Sequence, residues 1–369
     1  MTTKQAGITA SRAGGLEGVV VADTVLSDVD GERGRLVLRG HDVESIAGAR
    51  PFEDVLALMW DGVLPDGPGR ARVVHALGAA RAAAFTRVRA LAPQLSQPDG
   101  MNALRASMAT LTATDDSFEQ AIGLVGAMAV FAAAWSRLSR GLDPVAPDPT
   151  ASHAADYLRM VRGDAVCEAD VRGMDAYLAT VIDHGMNAST FAARVVASTA
   201  SDLVSSVVAA IGALKGPLHG GAPGPVLDML DAIADGARAE SWLLGEIAAG
   251  RRIMGMGHRV YRVRDPRAAV LERAVEQLER DGVTTGRLPL ARAVERVAEG
   301  VLAQRYPDRG LRANVEFYTA VLLDVLGIPR EAFTPTFAVS RVVGWIAHVR
   351  EQRASGRLIR PASRYVGGP

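Results

Sequence analysis

One cysteine, Cys167, is all that 369 residues provide. No disulfide can form within the chain, and a cysteine-built metal site has no material. That usage fits a reducing compartment. Excess charge is missing too: 41 lysines and arginines balance 41 aspartates and glutamates. Without a global basic field nothing points to nucleic acid, and any positive patch has to be local. The opening MTTKQAGITASRAGG has no apolar stretch and does not read as a signal peptide. The longest apolar run, Ala121 to Trp135, falls short of the roughly 20 residues that span a bilayer. Its small residues suggest a helix packed tightly among others. The expectation is a cytoplasmic protein with neither nucleic acid nor membrane as partner. Also absent are an internal repeat, a GxGxxG after a strand and a Walker-type loop. His184, His219 and His258 lack the spacing of a zinc-binding HExxH, so no metal is expected.

What the sequence does have is helical periodicity. In AAVLERAVEQLERD the apolar positions Val270, Leu271, Ala274, Val275 and Leu278 fall on one helical face. LARAVERVAEGVLAQRY repeats the pattern, and FAVSRVVGWIAHVREQ reads as a long buried helix. Near the start, β-branched runs flank DGERG, which predicts a small hairpin turning near Asp30-Gly31. The fold class is therefore mainly α with one minor β element. Breaks are expected at Pro144 to Pro149, Gly216 to Pro225, Gly282 to Pro289 and Tyr306 to Gly310.

Three stretches hold polar residues that packing alone would not request. In KGPLHGGAPGPVLDML, His219 sits between Gly-Pro and Gly-Gly just before a helix start. Glycines at 220 and 221 let a backbone approach a ligand, and a helix N-terminus disfavours an imidazolium. His219 is then either a neutral donor or a histidine satisfied by a turn. In GMGHRVYRVRDPR, His258 follows Gly255, Met256 and Gly257 and precedes Arg259, Arg262, Arg264 and Arg267. Arginines suit carboxylates and phosphates through planar paired donors, although a solvated helix start uses them as well. In NVEFYTAVLLDVLGIP, Glu316 opens an apolar helix, where it is either an acid or base or a first-turn carboxylate favoured by the helix dipole. DHGMNASTF sets His184 and Asn187 on an expected helix, and His348 reads as packing.

Taken together these segments resemble the citrate synthase family. Its signatures PLHGGA, GHRVYxxxDPR, NVDFY, FTPxFAxSRxxGWxAHxxEQ and IRPxxxYxG stand here as PLHGGA, GHRVYRVRDPR, NVEFY, FTPTFAVSRVVGWIAHVREQ and IRPASRYVGG. LRGHDVESIA and DHGMNASTFAARV match two further motifs, so the similarity runs through nearly the whole chain. The resemblance implies a nearly all-helical, citrate-synthase-like fold of two domains, a large one from 1–218 with 322–369 and a small one from 219–321. It implies a homodimer that condenses acetyl-CoA with oxaloacetate and water, acetyl-CoA being a substrate and no cofactor being needed. It puts Glu316 in the position of the base and His219 in that of the donor to the thioester oxygen. His258 takes the position that polarises the ketone. Oxaloacetate falls to His184, Arg267 and Arg341, with Arg360 supplied by the partner subunit, and CoA to Arg262 and the Gly255, Met256, Gly257 loop.

One position departs from the family. Where NVDFY has aspartate this chain has Glu316, longer by one carbon–carbon bond of about 1.5 Å. Misplacing a reacting group by about 1 Å can cost about 10²-fold in rate. Two alternatives follow: a 2-methylcitrate synthase using propionyl-CoA, or a weakly active paralogue kept for regulation.

Overall fold

The computed structural model describes residues 15, 16, 18–114, 117–220, 223–283 and 286–367. Among them are sixteen α-helices and one small sheet. The expected hairpin has a third strand: β1 (Ser27–Asp30), β2 (Arg35–Leu38) and β3 (His41–Asp42) run antiparallel in that order. Asp30 pairs with Arg35 and Ser27 with Leu38. The turn therefore spans Gly31 to Gly34, not the two residues at Asp30-Gly31. The Asp30 carboxylate shapes it by accepting from the N–H groups of Glu32 and Arg33 at 3.1 and 2.9 Å. Leu36 and Leu38 alternate inward and are fully buried.

The apolar run at 121–135 lies in a 21-residue helix, Phe118–Leu138, which by length and composition could cross a bilayer. The run is thus longer as a helix than the sequence suggests. It lies inside the protein, with 83% of its most apolar window buried. Each buried side chain of Val, Leu or Phe size stabilises by about 1.5–3 kcal/mol, and Leu124, Val125, Met128, Phe131 and Trp135 all contribute. The periodic segments become helices at Pro266–Arg280, Arg287–Arg305 and Phe333–Ser355. The break expected to reach Pro289 ends earlier. Pro289 sits inside the first turn of its helix, where a missing N–H costs nothing.

The site is positioned by loops at helix ends. The Phe333–Ser355 helix, buried at Val342, Trp345, Ile346 and Val349, carries Arg341, Trp345 and His348 past the loop that follows Glu168–Val181. The segments before Pro266–Arg280 and Val315–Val325 lie side by side, joined by a bridge between Met256 and Ala313.

Candidate active site

His258 owes its place to that bridge. Gly255 and Gly257 adopt left-handed φ of 73° and 86°, a region that costs a residue with a Cβ about 1–2 kcal/mol. Gly257 N–H donates to Arg312 C=O at 2.7 Å, Asn314 N–H to Gly255 C=O at 2.9 Å, and the Asn314 side chain to Gly257 C=O at 2.8 Å. The next turn folds back on the ring. Val260 and Tyr261 N–H groups both donate to His258 Nδ1, at 3.0 and 3.1 Å. Burial, then Arg267, holds the imidazole at a pKa of about 4. The neutral ring must therefore keep its proton on Nε2. Arg267 Nη2, also a donor, lies 3.5 Å from Nε2. Two donors this close need an acceptor that both can reach.

Arg267 is buried and anchored by Asp265, which accepts from Nε at 3.0 Å and Nη2 at 2.7 Å. Asp265 also caps the Pro266–Arg280 helix through Arg267 N–H, and it accepts from Val315 N–H at 3.2 Å. One carboxylate thus fixes the arginine against the helix that bears Glu316. The sequence reading missed Asp265, although an aspartate before proline at a helix start was the available signal.

Contrary to the helix expected there, His184 lies in the loop between Val181 and Ala188. Asn187 is the N-cap of the helix that follows. The His184 ring stands edge-on to His258 at 5.4 Å, and its Nε2 lies 3.1 Å from Tyr261 Oη. Burial first, then Arg267, His258 and Arg341, keeps its pKa well below the ordinary histidine value. His348 does more than pack. It links Asp183, 3.1 Å from its Nε2, to Arg194, which donates to Nδ1 at 3.0 Å.

His219 sits in the turn before the Pro223–Ile233 helix; Gly221, its expected neighbour in the flexible pair, lies outside the described residues. Its Nε2 faces Ser189, whose N–H donates at 3.3 Å and whose Oγ lies at 2.8 Å. Trp345 Nε1 donates to the same Oγ at 3.1 Å, tying His219 to the helix of Arg341. A fixed N–H aimed at Nε2 leaves the imidazole proton on Nδ1. Burial, then Arg341, sets the pKa at about 4.

Arg341 is buried, within electrostatic reach of Asp183 and Arg267. Its Nε donates to Val181 C=O at 2.6 Å and its guanidinium lies 4.5 Å from the Phe337 ring centre, but among the described residues Nη2 has no partner. Burial drives its pKa down to about 10. A dry cation with an unused donor wants an anion. Glu316, partly buried in the first turn of Val315–Val325, is pushed up to about 7 by burial, against the pull of Arg267 and Arg252. A carboxylate near pH 7 is poised as a base.

The structure thus gathers His184, His219, His258, Arg267, Arg341 and Glu316. Arg262 is exposed beside them, its N–H donating to Gly31 C=O at 3.0 Å. Arg264 is committed elsewhere, to Glu272 and Glu295. Arg360 is not brought to this cluster; it is exposed in the extended segment after Ser355. Among the described residues no group of three or more His, Cys, Asp or Glu could hold a metal ion.

A family model described as "Citrate synthase, C-terminal domain" matches residues 15–362. The chain is 40% identical to citrate synthase of Haloferax volcanii over 96% of its own length and 95% of the relative's. It is 35% identical to 2-methylcitrate synthase of Mycobacterium tuberculosis, over 96% and 90% respectively. Its structure superposes on citrate synthase from Pyrobaculum aerophilum with a TM-score of 0.85 at 36% identity, covering 100% and 97% of the two chains. It superposes on that of Thermoplasma acidophilum, in ternary complex with carboxymethyl coenzyme A and oxaloacetate, with a TM-score of 0.84 at 29% identity, covering 95% of each.

Proposed function

The chain belongs to the citrate synthase family, and from that premise we propose that it condenses acetyl-CoA with oxaloacetate and water to give citrate and CoA. The observation that carries the reading is the buried Nη2 of Arg341, without a partner among the described residues, close enough to Arg267 to feel its charge, with the Nε2–H of His258 beside Arg267. A ketone bearing two carboxylates supplies the missing acceptors. Oxaloacetate then lies between Arg267 and Arg341 with His184 alongside. Glu316 takes a proton from the thioester α-carbon while His219 donates from Nδ1 to the carbonyl oxygen that gains charge. The enol carbon attacks the ketone as its oxygen returns the proton to His219, and His258 passes its Nε2 proton to the new alkoxide; the proton taken by Glu316 leaves to solvent, and solvent restores that of His258. Water then cleaves the citryl thioester and releases CoA and citrate.

Acyl-CoA enters as substrate, and the reading calls on no metal or prosthetic group. Arg262 and the Gly255 to Gly257 loop receive the CoA. A homodimer is part of the proposal, with the exposed Arg360 reaching the partner's oxaloacetate, and with the small domain drawn from 219–321. We place the enzyme in the cytoplasm, where one free cysteine is safe.

CoA release from purified protein and oxaloacetate tests this directly. Acetyl-CoA is expected to give the higher kcat/KM, with propionyl-CoA also turned over, since one methylene discriminates by only about 1–3 kcal/mol. Preference for propionyl-CoA would reassign the acyl group and keep the mechanism. Turnover of neither would sink the reading. Glu316→Asp, run beside it, is expected to be slower by about 10- to 100-fold, because the surrounding backbone is set for the longer side chain.

The pH profile follows from Glu316. Its carboxylate must be ionised to act, and its pKa is about 7. Log kcat/KM for acetyl-CoA should rise with unit slope up to about pH 7 and then level. Both His219 and His258, near 4, stay neutral throughout that window. A profile flat from pH 5.5 to 8 would contradict the assignment.

A further inference from the structure

The N-terminal hairpin takes no part in the chemistry above, yet it touches both histidine loops. On one side Ser27 of β1 donates to Asp183 Oδ2 at 2.5 Å, and Gly185 N–H donates to Ser27 Oγ at 3.1 Å. β1 thereby grips the residues on either side of His184. At the tip, Gly31 C=O accepts from Arg262 N–H at 3.0 Å. Gly31 is pressed so closely on the His258 loop that a methyl there would overlap the Val260 carbonyl, 2.8 Å from its carbon and 2.9 Å from the Val260 Cγ1. Gly34 is as tight, with Val263 Cγ2 at 2.6 Å from the same hypothetical atom. Val260 matters because its N–H, with that of Tyr261, is what holds His258 Nδ1 as an acceptor. The two grips are linked by four paired positions of antiparallel ladder, and the Asp30 turn bonds stiffen the tip.

We propose that this hairpin is a brace that fixes His258 relative to His184, and that Gly31 is a positioning residue for His258. Its contact with Val260 and Arg262 keeps the loop folded so that the imidazole proton stays on Nε2, facing the ketone. The proposal rests on the reading of His258 as the donor to that ketone. Only glycine fits at 31; any Cβ pushes the Val260 carbonyl away and turns the Tyr261 N–H, which shares that peptide plane, off the ring.

The test is Gly31→Ala, with a second variant in which Gly31–Gly34 is replaced by Asn-Gly. That replacement keeps the Asp30–Arg35 pair under a two-residue turn and removes the tip. Glu32→Ala, at an exposed side chain on the tip, is the control. Both tip variants are expected to lose about 10- to 100-fold in kcat, with KM for acetyl-CoA within about threefold. Assigned imidazole nitrogen signals are expected to show His258 protonated on Nε2 in wild type and in Glu32→Ala. In the tip variants the proton should be shared between the two nitrogens. If Gly31→Ala fails to fold, the shortened turn decides. Wild-type kcat in either folded tip variant, or a loss of kcat with an unchanged His258 tautomer, would overturn the brace. A wild type without turnover would overturn the proposed reaction, while the imidazole signals would still decide the brace.

Discussion

Glu316→Gln is expected to lower kcat by about 10³-fold, in the range of about 10²–10⁴ that a positioned general base contributes. Glutamine keeps the length and shape of the side chain and loses only the ability to take a proton. The N-cap is untouched, since Asn314 Oδ1 accepts from the backbone N–H of residue 316. The KM for oxaloacetate should stay within about twofold, because the arginines and histidines that hold it are unchanged. Stability should move the other way. The folded pKa of Glu316, about 7, lies above its ordinary value of 4.5. Between those two pH values the folded protein holds a proton that the unfolded chain has released, so this group's contribution falls as pH rises through the window. The glutamine variant escapes that loss. At pH 8 its Tm should equal or exceed that of wild type, whereas at pH 5 the two should converge. A variant that retained more than a tenth of wild-type kcat would remove Glu316 from the role of base. One that lost activity and thermal stability together at pH 8 would make it a structural residue instead.

Much of this was legible from the sequence, and the gaps have physical causes. The helix at Pro266–Arg280 followed from spacing, because Val270, Leu271, Val275 and Leu278 bury one face. His258, Arg267 and Glu316 stood out because polar groups there had no packing reason to exist. His184 was misplaced on a helix because apolar residues continue on both sides of it, and only the cap at Asn187 marks where the chain restarts. That signal, an asparagine before Ala-Ser-Thr, was readable. The bond between Ser189 and His219 was not, since 30 residues of helix and turn separate them and no local pattern encodes the meeting. The hairpin turn was misjudged for a related reason. Asp30-Gly31 is a good two-residue turn locally, but Gly31 and Gly34 are both needed where the tip meets the loop of His258. A tertiary contact overrode the local preference.

Arg341→Gln should raise the KM for oxaloacetate by about 30-fold or more, the cost of removing one partner from a buried, charge-assisted pair being about 2–5 kcal/mol. Arg341 separates binding from folding where Arg267 does not. Arg267 is held by Asp265 through two bonds, so its removal would strand a buried carboxylate and confuse binding with folding. Arg341 leaves no such orphan. Its one hydrogen bond among the described residues is to Val181 C=O, which a glutamine amide can replace. In the free protein the guanidinium is a cost: burial holds its pKa at about 10, below the ordinary 12.5. At neutral pH the folded state therefore carries a charge it disfavours, and the uncharged variant should melt no lower than wild type. Oxaloacetate reverses the comparison. It gives the buried cation its anion, so it should raise the wild-type Tm by mass action and leave the variant's unmoved at the same concentration. A KM shift below about fivefold, or a variant that melts well below wild type without ligand, would make Arg341 a structural cation and leave the dicarboxylate to be bound elsewhere.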